Sequence, residues 1–145
     1  MTCDADGVPL VVRVTAANVN DEQVVPAMLE QLPAVQGPRG GRPRRKPKVL
    51  LGDRAYGVAW LITLVASMRI VPLLAPRLGR AAAEAVHGSG LGKWRYVVER
   101  TLACFSHFRR LRICYERTDA HFQALHDLAA CLLVATRLKR YRTEF

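Results

Sequence analysis

The sequence lacks the paired ligands and loops that mark several common classes of binding site. Its four cysteines contain no C-x-x-C pair, and His121 and His126 are five residues apart, which puts them off a common helical face. The stretch GPRGG has no lysine where a nucleotide-binding loop requires one. These absences argue against a zinc site, a disulfide framework and a nucleotide-binding loop.

Long apolar runs and a secretory signal segment are also missing. The run from Leu128 to Ala135 is far shorter than the roughly 18 residues that a membrane span needs, and His126 and Asp127 precede it. The sequence therefore predicts a soluble, cytoplasmic protein with reduced thiols and no membrane partner.

Acidic residues are few relative to basic ones. The chain has 12 Asp and Glu against 22 Lys and Arg, which gives a formal net charge of +10 at pH 7 and a pI near 10.2. An excess this large favours a polyanionic partner, with nucleic acid as the leading candidate. The alternative is a basic surface that contacts only solvent.

The alternation of strand-like and helix-like patterns predicts an α/β fold. The 145 residues, 50% of them hydrophobic, suffice for one core, so a single domain over residues 1–145 is expected. Asp6 and Gly7 predict a hairpin turn after a strand of which only residues 1–3 are present, and Asp21 is expected to cap the first helix. Further strands are predicted at 8–15, 49–51 and 70–74, and helices at 21–32, 55–68, 93–112 and 119–139.

Two stretches rich in Gly and Pro interrupt these patterns. Residues 76–92 are predicted to form a flexible insertion, and residues 37–48 a basic loop. The loop is interpreted either as a mobile arm that contacts DNA phosphates or as a solvated connection. In the first interpretation its contacts come from Arg42, Arg44, Arg45 and Lys46.

The longest amphipathic pattern runs through residues 93–112. Glu99 lies off its apolar stripe, in a row with Arg95, Ser106 and Arg110. The helix is therefore expected to present one carboxylate among cations. The apolar residues recur every three or four positions, the spacing of one buried helix face: Trp94, Val97, Val98, Leu102, Phe105, Phe108 and Leu111.

Three carboxylates carry the predicted chemistry: Asp4 ends the first strand, Asp53 follows the strand at 49–51, and Glu99 projects from the helix. If these carboxylates converged, divalent cations would be needed to offset their mutual repulsion. Two such ions about 4 Å apart can promote an in-line phosphoryl displacement. Taken singly, each acid has a structural explanation: a turn residue, a helix cap and an intrahelical partner of Arg95.

Three stretches in a fixed order carry a resemblance to a known family: CDADGVPLVVRVTAANVND, VLLGDRAYG and RYVVERTLACFSHFRRLR. The sequence resembles the C-terminal, catalytic part of bacterial insertion-sequence transposases of the DDE type, especially the IS-five-like group. The resemblance covers nearly all of residues 2–140. It implies an RNase H-like core, in which a mixed sheet is flanked by helices, with the first strand truncated here.

The resemblance also implies an active site and a reaction. Asp4, Asp53 and Glu99 would hold two Mg²⁺ ions, for which Mn²⁺ can substitute. Arg95 matches the arginine of the family's Tyr, Arg, Glu, Lys signature. The implied reaction is phosphoryl transfer at DNA ends, in which water attacks first and the freed 3′-OH then attacks target DNA. The implied partners are transposon-end and target DNA, with a homodimer as a further expectation.

The sequence departs from the family pattern in two respects. The signature's tyrosine falls at Gly92 and its lysine at Ser106, and we expect Arg109 or Arg110 to supply the missing phosphate contact. The family also usually carries an upstream DNA-end-binding region and a complete first strand. The sequence is therefore expected to be a partial chain: a decayed remnant, a chain with a mis-assigned start, or the second half of a frameshifted transposase.

Two other functions stay open at this point. A basic DNA-binding or dimerising remnant without catalysis would keep the charge pattern and lose the metal site. A hydrolytic nuclease of the same fold would cut DNA without joining it.

Overall fold

The computed structural model describes residues 1–37, 40–74 and 91–143, with side chains except at 91–93, 95, 141 and 143. The predicted flexible insertion at 76–92 lies almost entirely outside the described residues, and so does the side chain of Arg95. Across the described ranges, no helix is long and apolar enough to span a membrane. In chain order the elements are β1 Thr2–Cys3, β2 Pro9–Val11, α1 Asp21–Glu30, β3 Val49–Gly52, a 3₁₀ turn Arg54–Tyr56, α2 Ala59–Ser67, β4 Val71–Leu74, α3 Leu91–Ser106, α4 Arg109–Arg112 and α5 Asp119–Thr143.

The backbone divides into two compact units. The terminal unit combines Met1–Val19 with Tyr96–Phe145, and the central unit comprises Asn20–Arg95. The terminal unit therefore contains the β1–β2 hairpin, most of α3, and the helices α4 and α5. The central unit contains α1, β3, α2 and β4.

The terminal unit contains the short hairpin that Asp6 and Gly7 predict. The strands pair antiparallel, with Thr2 opposite Val11. Gly7 has a φ of 80°, a left-handed conformation that glycine adopts without the steric cost of a β-carbon. The hairpin turn is therefore confirmed.

Strand β2 is shorter than the predicted strand at 8–15, because a side chain of α5 bonds the backbone that follows it. The Gln123 side chain accepts the N–H of Val14 at 2.7 Å and donates to the carbonyl of Val12 at 2.8 Å. These bonds satisfy backbone groups that would otherwise need a neighbouring strand.

The buried face of α3 is rotated relative to the predicted stripe. Thr101 and Phe105 are only 2% and 6% exposed, whereas three residues of the predicted stripe are exposed: Trp94, Val98 and Leu102. The Thr101 hydroxyl donates to the carbonyl of Gly7 at 2.9 Å, so this side of the helix faces the hairpin. The predicted stripe is therefore correct at Phe105 and wrong at the three exposed residues.

The continuous helix predicted at 93–112 is interrupted. Helix α3 ends at Ser106 and α4 begins at Arg109, after the extended residue Phe108 with φ −80° and ψ 110°. Arg110 consequently does not extend the row of Ser106 along one helix axis. The predicted alignment of these two positions is wrong.

The central unit contains a β–α–β arrangement with parallel strands, β3 and β4, which pair in register along their length. Parallel strands require a crossover connection, and α2 supplies it. Leu61 and Val65 of α2 are completely buried, at 0% exposure. Four large apolar residues of the two strands are exposed instead: Val49, Leu51, Val71 and Leu73.

Helix α2 begins later than residue 55 because Asp53 caps a separate 3₁₀ turn. The Asp53 Oδ1 accepts the N–H of Ala55 at 2.8 Å, and α2 starts at Ala59. Helix α1 likewise differs at its start, since Asp21 is its first helical residue and Asn20 is the N-cap. Both segments are therefore helical as predicted, and their ends differ from the predicted ends.

The described strands form two separate two-stranded sheets, one antiparallel and one parallel. This differs from the single mixed sheet that the resemblance implied. Strands β1 and β2 have only two and three residues, so they offer few ladder hydrogen bonds. The combination of helices and strands agrees with the predicted α/β class, and the RNase H-like arrangement stays a prediction.

Candidate functional site

Asp4 holds the turn between β1 and β2. Its Oδ1 accepts the N–H of Asp6 at 3.0 Å and that of Val8 at 2.8 Å, and its backbone carbonyl accepts the N–H of Gly7 at 3.1 Å. These bonds fix the orientation of the carboxylate. Asp4 therefore has the structural role of a turn residue. Its side chain is half-buried.

The turn is bonded directly to α3 through Thr101. The buried Thr101 hydroxyl lies 2.9 Å from the carbonyl oxygen of Gly7 and 3.0 Å from that of Val97. The approach is close, because a β-carbon added at Gly7 would lie 2.7 Å from the Thr101 Oγ1. Only glycine therefore fits this turn without displacement of the Thr101 hydroxyl.

Two arginines reach the same turn from different helices. Arg100 of α3 donates from Nη2 to the carbonyl oxygen of Asp6 at 3.2 Å, and Arg137 of α5 donates from Nη1 to the same oxygen. The Arg100 guanidinium also lies over the ring of Tyr96, 5.8 Å from its centroid. The hairpin turn is thus held by side chains of both long helices of the terminal unit.

The pKa of the Cys3 thiol reflects the electrostatic surroundings of the turn. Burial raises the pKa of the Cys3 thiol, and the negative charge of Asp4 raises it further. The N-terminal amine and the Arg137 guanidinium act in the opposite direction and lower it. The Asp4 carboxylate and the Arg137 cation therefore act on the same small region.

Glu99 lies on α3, two residues before Thr101, and is exposed. Asp4 and Glu99 belong to the same unit. The bonds of Thr101 to Gly7 and of Arg100 to Asp6 join the elements that carry them. The structure therefore brings together the turn and the helix that bear two of the three predicted acids.

Asp53 lies in the central unit, directly after β3, where the sequence placed it. It caps the 3₁₀ turn, as the structural explanation predicted. Nearby Tyr56 has a raised pKa, chiefly because of burial and then because of the negative charges of Asp21, Asp53 and Glu22. Asp53 therefore lies in an acidic environment that also includes the start of α1.

The donor atoms of the three acids fit a hard divalent cation, because carboxylate oxygens are the ligands that Mg²⁺ prefers. The hydrogen bonds described for Asp4 and Asp53 end on Oδ1, and a carboxylate has a second oxygen that can accept a cation. Within the described part of the chain, no group of three or more His, Cys, Asp or Glu side chains is close enough to hold a metal ion. Convergence of Asp53 with Asp4 and Glu99 stays a prediction.

The predicted phosphate contacts of α4 lie on its exposed surface. Arg109 and Arg110 are both exposed. Arg110 donates from Nη2 to Oε1 of Glu116 at 2.6 Å, in an ion pair whose side chains are 64% and 16% exposed. Part of the charge of Arg110 is therefore offset within the protein, whereas Arg109 has no ion pair with any described residue.

The basic loop is anchored at one point. Val35 and Arg44 form an isolated antiparallel bridge, with N–H to carbonyl distances of 2.8 and 2.9 Å. The basic side chains that were predicted to contact DNA are all exposed: Arg42, Arg44, Arg45 and Lys46. The structure therefore leaves these cations accessible, and their role stays a prediction.

Sequence reasoning missed the residues that fix the hairpin turn. Thr101 follows Val97 by four positions and precedes Phe105 by four, so the helical period could have identified it as a polar residue on the buried face. Arg100 and Arg137 gave no such signal. Their common partner is a backbone carbonyl, which no side-chain pattern reveals.

Comparison with known proteins supports the resemblance seen in the sequence. The family described as "Transposase DDE domain" matches residues 1–134. A Burkholderia cepacia protein described as "Putative transposase for insertion sequence element IS402" is 39% identical over 137 residues, which are 94% of this chain and 62% of that relative. No solved structure matches the chain. The chain therefore belongs to the transposase DDE domain family.

Proposed function

We propose that this chain supplies the catalytic part of an insertion-sequence transposase, which cleaves DNA at the ends of the element and transfers the strands to target DNA. The observation that carries the proposal is the family match over residues 1–134. The chain spans 62% of the length of the relative that it matches. We therefore propose for this chain only the chemistry of the part that it matches.

The proposed metal ligands are Asp4, Asp53 and Glu99. Divalent cations such as Mg²⁺ or Mn²⁺, when bound, would activate an attacking oxygen and stabilise a leaving oxygen in an in-line displacement. Asp4 is already oriented by two backbone N–H groups, so its carboxylate needs little reorganisation to bind a cation. The Thr101 bond to Gly7 supports the proposal, because it fixes the turn of Asp4 against the helix of Glu99.

The proposed reaction consists of two phosphoryl transfers. In the first, a water oxygen attacks a phosphodiester at the element's end, the bond to the 3′ oxygen breaks, and a 3′-OH is released. In the second, that 3′-OH attacks a phosphodiester of target DNA and displaces its 3′ oxygen. Arg95, Arg109, Arg110 and the cations of the basic loop would bind phosphates of the two DNA partners.

A single catalytic domain over residues 1–145 is proposed. A homodimer is proposed as the assembly, since the reaction joins two DNA ends to one target. The cytoplasm stays the predicted compartment, where the DNA substrate is available. Sedimentation of the chain with and without element-end DNA measures the oligomer, and a monomer under both conditions would contradict the dimer.

A second candidate function is a basic DNA-binding or dimerising protein without catalysis. The net charge of +10 favours DNA binding with or without chemistry. Both functions predict DNA binding, so only a measurement of cleavage separates them.

The deciding experiment measures nicking of a supercoiled plasmid that carries the ends of the element. The wild-type chain is compared with Asp53→Asn and with Asp6→Asn, which removes an exposed carboxylate next to Asp4 that has no proposed metal role. We expect Mg²⁺- or Mn²⁺-dependent nicking by the wild type and by Asp6→Asn, and loss of at least 100-fold, on the order expected when an essential charged catalytic group is lost, in Asp53→Asn. Duplex binding without nicking by the wild type would favour the non-catalytic function, and nicking without strand joining would indicate a nuclease.

A further inference from the structure

We infer that Arg100 and Arg137 together form a binding site for one DNA phosphodiester, next to the turn that carries Asp4. The site is distinct from the arginines that the sequence indicated, which lie on α4, in the basic loop and at Arg95. The inference rests on the proposed function, because that function supplies the DNA.

The two guanidinium groups converge on one atom. Both donate to the carbonyl oxygen of Asp6, Arg100 from α3 and Arg137 from α5. A guanidinium has five N–H donors, and this carbonyl takes one from each. The remaining donors of both groups are therefore gathered around one point, where an oxyanion with several acceptor oxygens can bind.

Contacts within the protein restrict both side chains before any ligand binds. Arg100 is held between the Asp6 carbonyl and the ring of Tyr96, whose residue is 62% exposed. Arg137 is half-buried and lies next to Gly7, where its Nη2 would be 3.3 Å from an added β-carbon. Binding of an anion to such a site costs little side-chain entropy, because the rotamers are already restricted.

The Asp4 carboxylate acts on the same small region as Arg137, but the contacts described for the two arginines do not include it. Two like charges held near one carbonyl repel each other, and the bonds described for them lead to a backbone carbonyl and an aromatic ring. Within the described residues, neither arginine forms an ion pair with a carboxylate. An anion bound between them would remove this repulsion.

A phosphodiester is the anion that fits best. The planar fork of arginine matches phosphate oxygens with two parallel hydrogen bonds, and a chain with a net charge of +10 attracts polyanions before small anions. The site also belongs to the turn of Asp4, a proposed metal ligand. A phosphate held there would place the DNA backbone beside the proposed chemistry.

The test is the salt dependence of DNA binding, measured by fluorescence anisotropy with a labelled element-end duplex and no divalent metal. Each lost phosphate contact reduces the slope of log K against log salt by about 0.9. We expect Arg100→Gln and Arg137→Gln each to reduce the slope by about one contact, and the double variant by about one contact as well, because both share one phosphate. Arg13→Gln, an exposed arginine of the same unit, is the matched control and should leave the slope unchanged.

Three results would overturn the inference. If the two single variants have the same salt slope as Arg13→Gln, neither arginine contacts a phosphate. If the double variant loses two contacts, the arginines bind two separate phosphates. Stronger displacement of DNA by inorganic phosphate than by chloride at equal ionic strength would assign the site to a free anion.

The binding role is separated from a purely structural one by Arg100→Lys and Arg137→Lys. Lysine keeps a point charge and loses the fork, so we expect the slope to be retained and the affinity to fall by three-fold or more, with an unchanged unfolding temperature. A fall in unfolding temperature with normal affinity would show that the arginines only hold the turn. The binding assay contains no metal and does not depend on catalysis. A wild-type chain that binds duplex here and fails to nick the plasmid in the presence of Mg²⁺ or Mn²⁺ would therefore refute the proposed catalysis and leave this inference standing.

Discussion

At the scale of single residues, Thr101 is the polar group on which the geometry of the hairpin turn depends. It is 2% exposed, and its hydroxyl is the hydrogen-bond donor for the buried Gly7 carbonyl. A buried carbonyl that loses its donor retains the desolvation cost of burial without the hydrogen bond that offset it. The residue is therefore expected to affect both stability and the position of Asp4.

We predict that Thr101→Val destabilises the chain by about 1–3 kcal/mol, since valine keeps the shape and removes the hydroxyl. Urea denaturation followed by circular dichroism measures the change. Thr101→Ser is the matched control, because it keeps the donor, and it should cost less than Thr101→Val. Hydrogen exchange at the amides of Asp6 and Val8 should become faster in Thr101→Val, and unchanged exchange would contradict the role of Thr101 in holding this turn.

A second prediction at the residue scale concerns alkaline pH. Burial and the charges of Asp21, Asp53 and Glu22 raise the pKa of Tyr56 above its ordinary value of 10.0. A raised folded-state pKa means that the neutral phenol is favoured by folding. Its contribution to stability is therefore complete below pH 10 and is lost as the pH rises through the folded-state pKa.

The measurement is the free energy of unfolding as a function of pH for the wild type and Tyr56→Phe. We expect the wild type to lose more stability above pH 10 than the variant, which has no phenol to ionise. In Asp53→Asn, the tyrosinate absorbance should develop at lower pH, because one of the negative charges is gone. An identical pH dependence of wild type and Tyr56→Phe would show that Tyr56 titrates normally.

At the scale of elements, the interruption between α3 and α4 determines which groups the arginines of α4 can contact. The chain leaves the helical conformation at Phe108, and Arg110 then pairs with Glu116 beyond the end of α4. Because Arg110 is 64% exposed, solvent screens this pair, and its contribution to stability is at most about 1 kcal/mol. The more important consequence is that Glu116 would compete with the DNA phosphates that Arg110 is proposed to bind.

We predict that Glu116→Gln strengthens binding to element-end duplex and increases the salt slope by about one phosphate contact, because it releases Arg110. Stability should change by less than about 1 kcal/mol. Fluorescence anisotropy over a range of salt concentrations measures the effect. Glu30→Gln, which removes one exposed negative charge at the end of α1, is the control, and equal effects of the two variants would refute a specific role of the ion pair.

At the scale of the whole molecule, the proposed metal site is tested through all three of its proposed ligands, Asp4, Asp53 and Glu99. A cation that binds the folded chain through all three carboxylates stabilises it by mass action. Metal-dependent stability therefore tests whether the three acids act together.

We predict that Mn²⁺ or Mg²⁺ raises the unfolding temperature of the wild-type chain, and that Asp4→Asn, Asp53→Asn and Glu99→Gln each abolish the increase. Differential scanning calorimetry with and without the metal measures it. Asp6→Asn should respond as the wild type does. A normal metal response in Asp53→Asn would separate Asp53 from the other two acids and refute the three-carboxylate site.

Much of the local structure was predictable because local sequence determines it. Asp6 and Gly7 predicted the hairpin turn, and the apolar runs at 49–51 and 70–74 correspond to the parallel strands β3 and β4. The end of β2 and the bonding partner of Thr101 were not predictable in this way. They depend on hydrogen bonds of the Gln123 and Thr101 side chains to backbone groups that are distant in sequence.

The sequence by itself determined the charge, the types of the elements and the family, because these follow from composition, from periodicity and from motifs in a fixed order. The tertiary structure alone decided that Thr101 bonds the turn of Asp4, that Arg100 and Arg137 share one carbonyl, and that Arg110 is paired with Glu116. The physical reason is that each of these contacts joins groups whose separation depends on how helices pack and where they end. A hydrogen bond forms only within about 3 Å, and no periodic pattern encodes such a distance.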